Sequence, residues 1–130
     1  MFRWFTDTFK ILYKGKTEKV RLLDIDCPEN SQPYGEVAKE FVKDLCLDKK
    51  VLIKPQEKRD QYGRILAYVF VDDTLNINAA LVKAGLAWNY KYSKNKEFKT
   101  LQREARKAKK GLWEGDNPVN PWKWRKQHHR

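Results

Sequence analysis

Cysteine is nearly missing from this chain: only Cys27 and Cys46 occur among 130 residues. Two thiols exclude a disulfide framework, and they offer no zinc-ligand spacing. No apolar run approaches the roughly 20 residues that a membrane span needs. The opening MFRWFTDTFK has neither the long apolar core nor the small-residue cleavage site of a signal peptide. The expectation is therefore a cytoplasmic chain with no membrane partner, or an exported one if these residues are a trimmed form of a longer protein. Acids are also in the minority, 17 Asp and Glu against 28 Lys and Arg, for a formal net charge of +11. Clustered cations gain free energy by displacing counterions from phosphate backbones, so the imbalance points to a polyanionic partner. Excess charge can also serve solubility alone. The five Trp and six Tyr, several set among basic residues, tip the reading towards nucleic acid, because aromatic faces stack on bases. Most of these rings are still expected in the core.

With 41% hydrophobic residues the chain is long enough for one compact domain. Residues 9–13 and 19–25 are β-branched or aromatic and partly alternate, and Lys14-Gly15 between them predicts a hairpin. Val37, Ala38, Phe41, Val42 and Leu45 then recur at helical spacing, predicting a helix over 35–47 with Cys46 beside its buried stripe. A second antiparallel pair is expected from 50–58 and 64–71 across the turn RDQYG, followed by a brief strand around Leu75. Asn76 or Asn78 suits the cap of a second helix, and Gly85 its end. A third helix should start near Asn95, turn Phe98, Leu101, Ala105 and Ala108 inward, and stop at Gly111. Residues 118–130 form a basic, Trp-rich tail with no period, expected to be irregular and draped over a domain spanning 1–117. The order is α+β, and five short strands suggest a small Greek-key barrel of the OB type.

The chemistry lies in RLLDIDCPE, residues 21–29, where a strongly basic chain gathers Asp24, Asp26 and Glu29. Phosphodiester cleavage needs a cation to offset charge on the phosphate, an activated water, and donors that follow charge as it develops. Asp26, with Asp7 from the neighbouring strand, suits a hard divalent cation. Glu29, three residues on, is placed to orient or deprotonate water. Arg21 and Arg64 offer guanidinium forks for phosphate oxygens. Each of these residues taken singly would more often be a surface ion pair, and Asp24 is read as structural or solvated.

The stretches DTFKILYKG, VRLLDIDCPE, YGEVAKEF, DQYGRILAYVF, NAALVKAGLAW and KAKKGLW, in this order, resemble the successive motifs of the staphylococcal nuclease (thermonuclease) family. The resemblance runs from about Asp7 to Trp113. It implies an OB-fold barrel with three helices and calcium-dependent cleavage of DNA and RNA to 3′-phosphate ends. It also implies Asp7, Asp26 and the backbone carbonyl of Cys27 as calcium ligands, and Glu29 at the water-activating position. Arg21 and Arg64 take the phosphate and transition-state positions, while Tyr62, Tyr90 and Tyr92 fall where the family packs the nucleotide.

Several departures stand out, among them a short loop after Glu29. Cys27 replaces the usual Thr, which a backbone ligand tolerates, and Gln61 stands where a Lys is common. The family's Asp-Gly-Asp-Thr turn reads FTDT at 5–8, and most of the strand before it is missing, so a truncated first strand is expected. The leading expectation is a metal-dependent nuclease acting on single-stranded or frayed DNA and RNA, monomeric or dimeric by exchange of the short strand. Its rivals are a non-catalytic OB module for nucleic acid or protein, and an inactive truncated variant.

Overall fold

The computed structural model describes residues 3–5 and 8–128, with side chains from Phe9 onward. Strand β1 (Arg3–Phe5) pairs antiparallel with β2 (Thr8–Tyr13), and β2 with β3 (Lys16–Leu22). The hairpin between β2 and β3 turns on Lys14 and Gly15, both at positive φ (52° and 80°). Two successive left-handed residues give the turn whose twist matches that of the flanking strands. Strands β5 (Val51–Pro55) and β6 (Ile65–Val71) form the second antiparallel pair, and β6 also runs parallel to β3. The resulting path, β1-β2-β3-β6-β5, is the main run of a curled six-strand sheet, consistent with an OB-type half-barrel. A sixth strand, β7 (Leu75–Asn76), pairs with β6, while β4 (Ile25–Asp26) and β8 (Trp88–Asn89) form a separate two-stranded sheet. At three residues, β1 is as short as the sequence implies.

Strand β6 shows why the sheet curls around one core. Ile65, Ala67, Val69 and Val71 are buried while Leu66, Tyr68 and Phe70 are half-buried, the alternation of a strand with one face inward. Phe9, Val20, Leu22 and Ile25 meet that face with Ala38 and Val42 of α1 (Gly35–Cys46). Val37 of α1, expected inside, is 52% exposed because it precedes the buried stripe of Ala38, Val42 and Cys46 by one position. Burial pushes the Cys46 thiol up to about 11, so it behaves as a small hydrophobe. Helices α2 (Ile77–Lys83) and α3 (Lys96–Lys107) start on Asn76 and Asn95, whose side chains accept from the N–H groups of Ala79 and Phe98. The third helix ends earlier than expected. Lys109 takes the left-handed conformation (φ 53°), Ala108 is exposed, and Gly111 instead opens a 3-10 turn, Gly111–Glu114.

The tail is not irregular. Residues Pro121–Gln127 form helix α4, capped by Asn120, which accepts from the Lys123 N–H, with Pro121 in the first turn. The three expected helices are thus joined by a fourth. Trp88 and Trp113 pack edge to face at 4.5 Å in a second cluster with Ala105 and Leu112, while Tyr62 and Tyr92 stay exposed, so the core role expected for most Trp and Tyr holds for part of them.

Candidate active site

The strand-to-loop turn at Leu23-Asp24 carries the chain from β3 towards the acidic stretch. Asp24 adopts a left-handed conformation (φ 66°), which an Asp tolerates better than most residues. It is tied down twice: its carboxylate accepts from the Tyr68 hydroxyl, and its carbonyl accepts from the Tyr90 N–H at 2.9 Å. Burial and the bond to Asp24 both raise the Tyr68 pKa, so its proton stays in place. Behind the turn sits Asn78, fully buried, which accepts from the Val69 N–H and donates to the carbonyls of Leu23 and Ala67. One amide thereby joins α2, β6 and the approach to the site. Neither tie could be located from sequence, where Asn78 reads as a cap and Asp24 as structural or solvated with no partner named.

Glu29 is held from behind. Its N–H donates to Gln32 Oε1 (3.0 Å) and its carbonyl accepts from the Gln32 N–H (2.9 Å). Gly35, the first residue of α1, lies so close that a Cβ there would fall 2.0 Å from the Glu29 carbonyl oxygen. Only glycine lets the helix start against this loop. The YGE motif therefore bears on the site through backbone contact as well as helix initiation.

Arg64 is fixed by a second loop, residues 56–64. One carboxylate, Asp60, accepts from the N–H groups of Tyr62 and Arg64 (2.9 Å each) and from Arg64 Nε (2.6 Å). Burial alone would raise the Asp60 pKa, but these donors and the guanidinium outweigh it and hold the carboxyl below its ordinary value. Asp60 was not foreseen as part of the site, although an Asp two residues before a Tyr-Gly turn is a recognisable signal for this arrangement.

These loops open on a groove of about 670 Å³. Arg21, Glu29, Arg64, Tyr62, Tyr90 and Tyr92 all line it, six of the nine residues singled out in the sequence. The Arg21 guanidinium lies over the Tyr90 ring and that of Arg64 over Tyr62, each 5.3 Å from the centroid. Tyr62 and Tyr92 are 72% and 70% exposed, leaving ring faces open to a ligand. Asp26 and Cys27 are buried at 2% and 1% exposure and are not among the groove's lining residues, and Asp7 lies outside the described residues.

A further lining residue, Arg125 of α4, reaches both acids. Its guanidinium donates to Glu29 Oε1 at 2.9 Å and stands 3.5 Å from Asp26 Oδ2. Half-burial acts to lower the Arg125 pKa, but Glu29 and Asp26 together raise it. Among the described residues no three His, Cys, Asp or Glu side chains converge on one point. Yet Asp26 and Glu29 turn their charge to a single cationic group, and their donors are oxygens. That is the chemistry of a hard divalent cation, so the residues fit calcium or magnesium rather than a thiophilic metal.

A family model described as staphylococcal nuclease homologue matches residues 19–115. The chain belongs to the staphylococcal nuclease family. It is 41% identical over 120 residues to an uncharacterized endonuclease of Escherichia coli, covering 92% of this chain and 78% of that one. Over 131 residues it is 36% identical to a micrococcal nuclease of Shigella flexneri, covering 92% and 75%. It is also similar to a staphylococcal-like nuclease of Arabidopsis thaliana, 37% identical over 117 residues that make up 86% of this chain and 34% of the plant protein. The family match thus supports a nuclease with a nucleic-acid substrate. It takes in Arg21, Glu29 and Arg64, begins after Asp7 and ends before α4. No helix among the described residues is long and apolar enough to cross a membrane.

Proposed function

We propose that this protein is a calcium-dependent endonuclease that hydrolyses DNA and RNA to products ending in 3′-phosphate. The observation that carries the reading is the groove, where two guanidinium groups, Arg21 and Arg64, share one opening with the carboxylate of Glu29. A module that only bound nucleic acid would gain nothing from acids beside the phosphate, since they repel it unless a cation intervenes.

On this reading Asp26, the Cys27 carbonyl and Asp7 would hold a hard cation through oxygen donors. When bound, the ion offsets charge on the phosphate and makes an adjacent water more acidic. Glu29 accepts the proton of the attacking water as its oxygen joins phosphorus. The bond from phosphorus to the 5′ oxygen breaks, that oxygen takes up a proton, and the phosphate stays on the 3′ side. Arg21 and Arg64 donate to the phosphate oxygens as their charge grows. Tyr62, Tyr90 and Tyr92 flank the nucleotide, and their exposed faces favour unpaired bases over duplex. Residues 1–117 would then form the nuclease unit and 118–130 an appended basic segment.

The test is to incubate the protein with single-stranded DNA and RNA in calcium or in chelator and to analyse the new ends. The proposal expects cleavage in calcium only, with 3′-phosphate ends. Cleavage that persists in chelator contradicts the metal dependence; tight binding without cleavage identifies the binding module.

A further inference from the structure

Helix α4 is short, and among the described residues a few side-chain contacts seat it. Trp124 Nε1 donates to Ser31 Oγ at 3.3 Å, the Val119 carbonyl just before the helix accepts from the Gln32 amide, and the Lys91 ammonium sits 4.1 Å from the centre of the Trp122 ring. Pro121 is its only buried residue. The contact with chemical consequence is Arg125, whose guanidinium spans Glu29 and Asp26 while its own side chain stays 48% exposed.

A guanidinium on Asp26 Oδ2 and Glu29 Oε1 stands where these acids would meet a divalent cation. Like charges at such a separation repel strongly, so the two cations cannot both occupy the pair. The arginine is half exposed and can swing into solvent, while Asp26 and Glu29 are 3% and 19% exposed and need a counter-cation in its place, so the guanidinium leaves when another cation arrives. We propose that Arg125 is a tethered counter-cation: it closes the Asp26–Glu29 pair until a divalent cation displaces it, which couples metal binding to the release of α4. The inference rests on the reading of Asp26 as a metal ligand with Glu29 beside it at the water-activating position, and adds a regulatory role for α4. By linkage, closure lowers the apparent metal affinity by the fraction of molecules that are open, and metal lowers the seating of α4 by the same factor.

Calorimetric titration of calcium into the full chain, as wild type, Arg125→Gln and Asp26→Asn, separates the outcomes. Amide hydrogen exchange over 121–127, with and without calcium, reads the helix directly. The proposal expects Arg125→Gln to bind calcium about tenfold more tightly than wild type, the signature of a removed closing equilibrium. It also expects calcium to speed exchange in α4 of the wild type. Equal or weaker binding by Arg125→Gln, or α4 protection that calcium leaves unchanged, overturns it. If wild type and Arg125→Gln bind equally while Asp26→Asn does not bind, the metal site stands and the closure is wrong. If none of the three binds calcium, both the metal site and the closure are wrong.

Discussion

Arg64 and Arg125 both enter the groove on the arm of a carboxylate, but Arg64 meets Asp60 four residues earlier in the chain and Arg125 meets Glu29 ninety-six residues earlier. The Asp60 pair is built inside one loop. Two backbone N–H groups and the guanidinium converge on a single carboxylate, so once the turn forms the arginine has little freedom left. The Arg125 pair depends on α4 being seated, and its arginine is 48% exposed against 24% for Arg64. A local, multiply bonded pair serves to hold a side chain still, as transition-state stabilisation requires. A remote pair whose arginine is half exposed while Asp26 is 3% and Glu29 19% exposed leaves buried acids that need a counter-charge, which suits a contact that opens only when another cation takes the guanidinium's place.

Replacing the forks separates the two most strongly. Arg64→Lys, like Arg21→Lys, keeps the charge and loses the paired donors, and should lower turnover by roughly two to three orders of magnitude in steady-state cleavage. At Arg125 the effect of Arg125→Gln should fall on the half-saturating calcium concentration, downward.

Moving the glycine behind Glu29 comes next. Gly35→Ala forces the Glu29 carbonyl or α1 to shift, because the new Cβ overlaps that oxygen. Turnover should drop by about tenfold to a hundredfold, the scale for misplacing a catalytic group by an ångström. Asp60→Ala should cost about 1–3 kcal/mol in a denaturant melt, from donors left without their charged acceptor, and should lower turnover indirectly by freeing Arg64. The sign of the pH dependence follows from the depressed Asp60 pKa. Its stabilisation is complete above the unfolded value, about 3.9, and is lost as pH falls through the lower folded value. Wild type should therefore lose stability there more steeply than Asp60→Asn.

The smallest effect is a control. Cys46, with its thiol near 11, should resist alkylation at pH 8 in the wild type and in the Arg125 and Asp60 variants alike. Rapid alkylation in a variant would show that its fold, and not the local pair, had failed.

Elements with their own local signal were legible in the sequence. The Lys14-Gly15 turn, the Asn76 and Asn95 caps, and the alternation of β6 each follow from neighbours within a few positions, and each appears where expected. Boundaries without such a signal slipped: α3 ends at Lys107 because Lys109 already turns left-handed, two residues before Gly111 does. The Asn120-Pro121 start of α4 was present in the sequence as a cap and a first-turn proline. It was masked by a Trp- and Lys-rich composition with only Pro121 to bury. Asp26, Glu29, Arg21 and Arg64 were legible as types of chemistry. Gln32, Asn78 and Arg125 were not, since their contacts join segments distant in sequence and only the folded chain brings them together.

The claim on which the rest depends is that the groove around Glu29 is the hydrolytic centre. Single-turnover cleavage of a labelled single-stranded oligonucleotide in calcium, by wild type and Glu29→Gln, tests it most directly when oligonucleotide affinity is measured on the same samples. The account predicts that Glu29→Gln binds as wild type does and cleaves roughly two to three orders of magnitude more slowly. Cleavage by Glu29→Gln at the wild-type rate would contradict it.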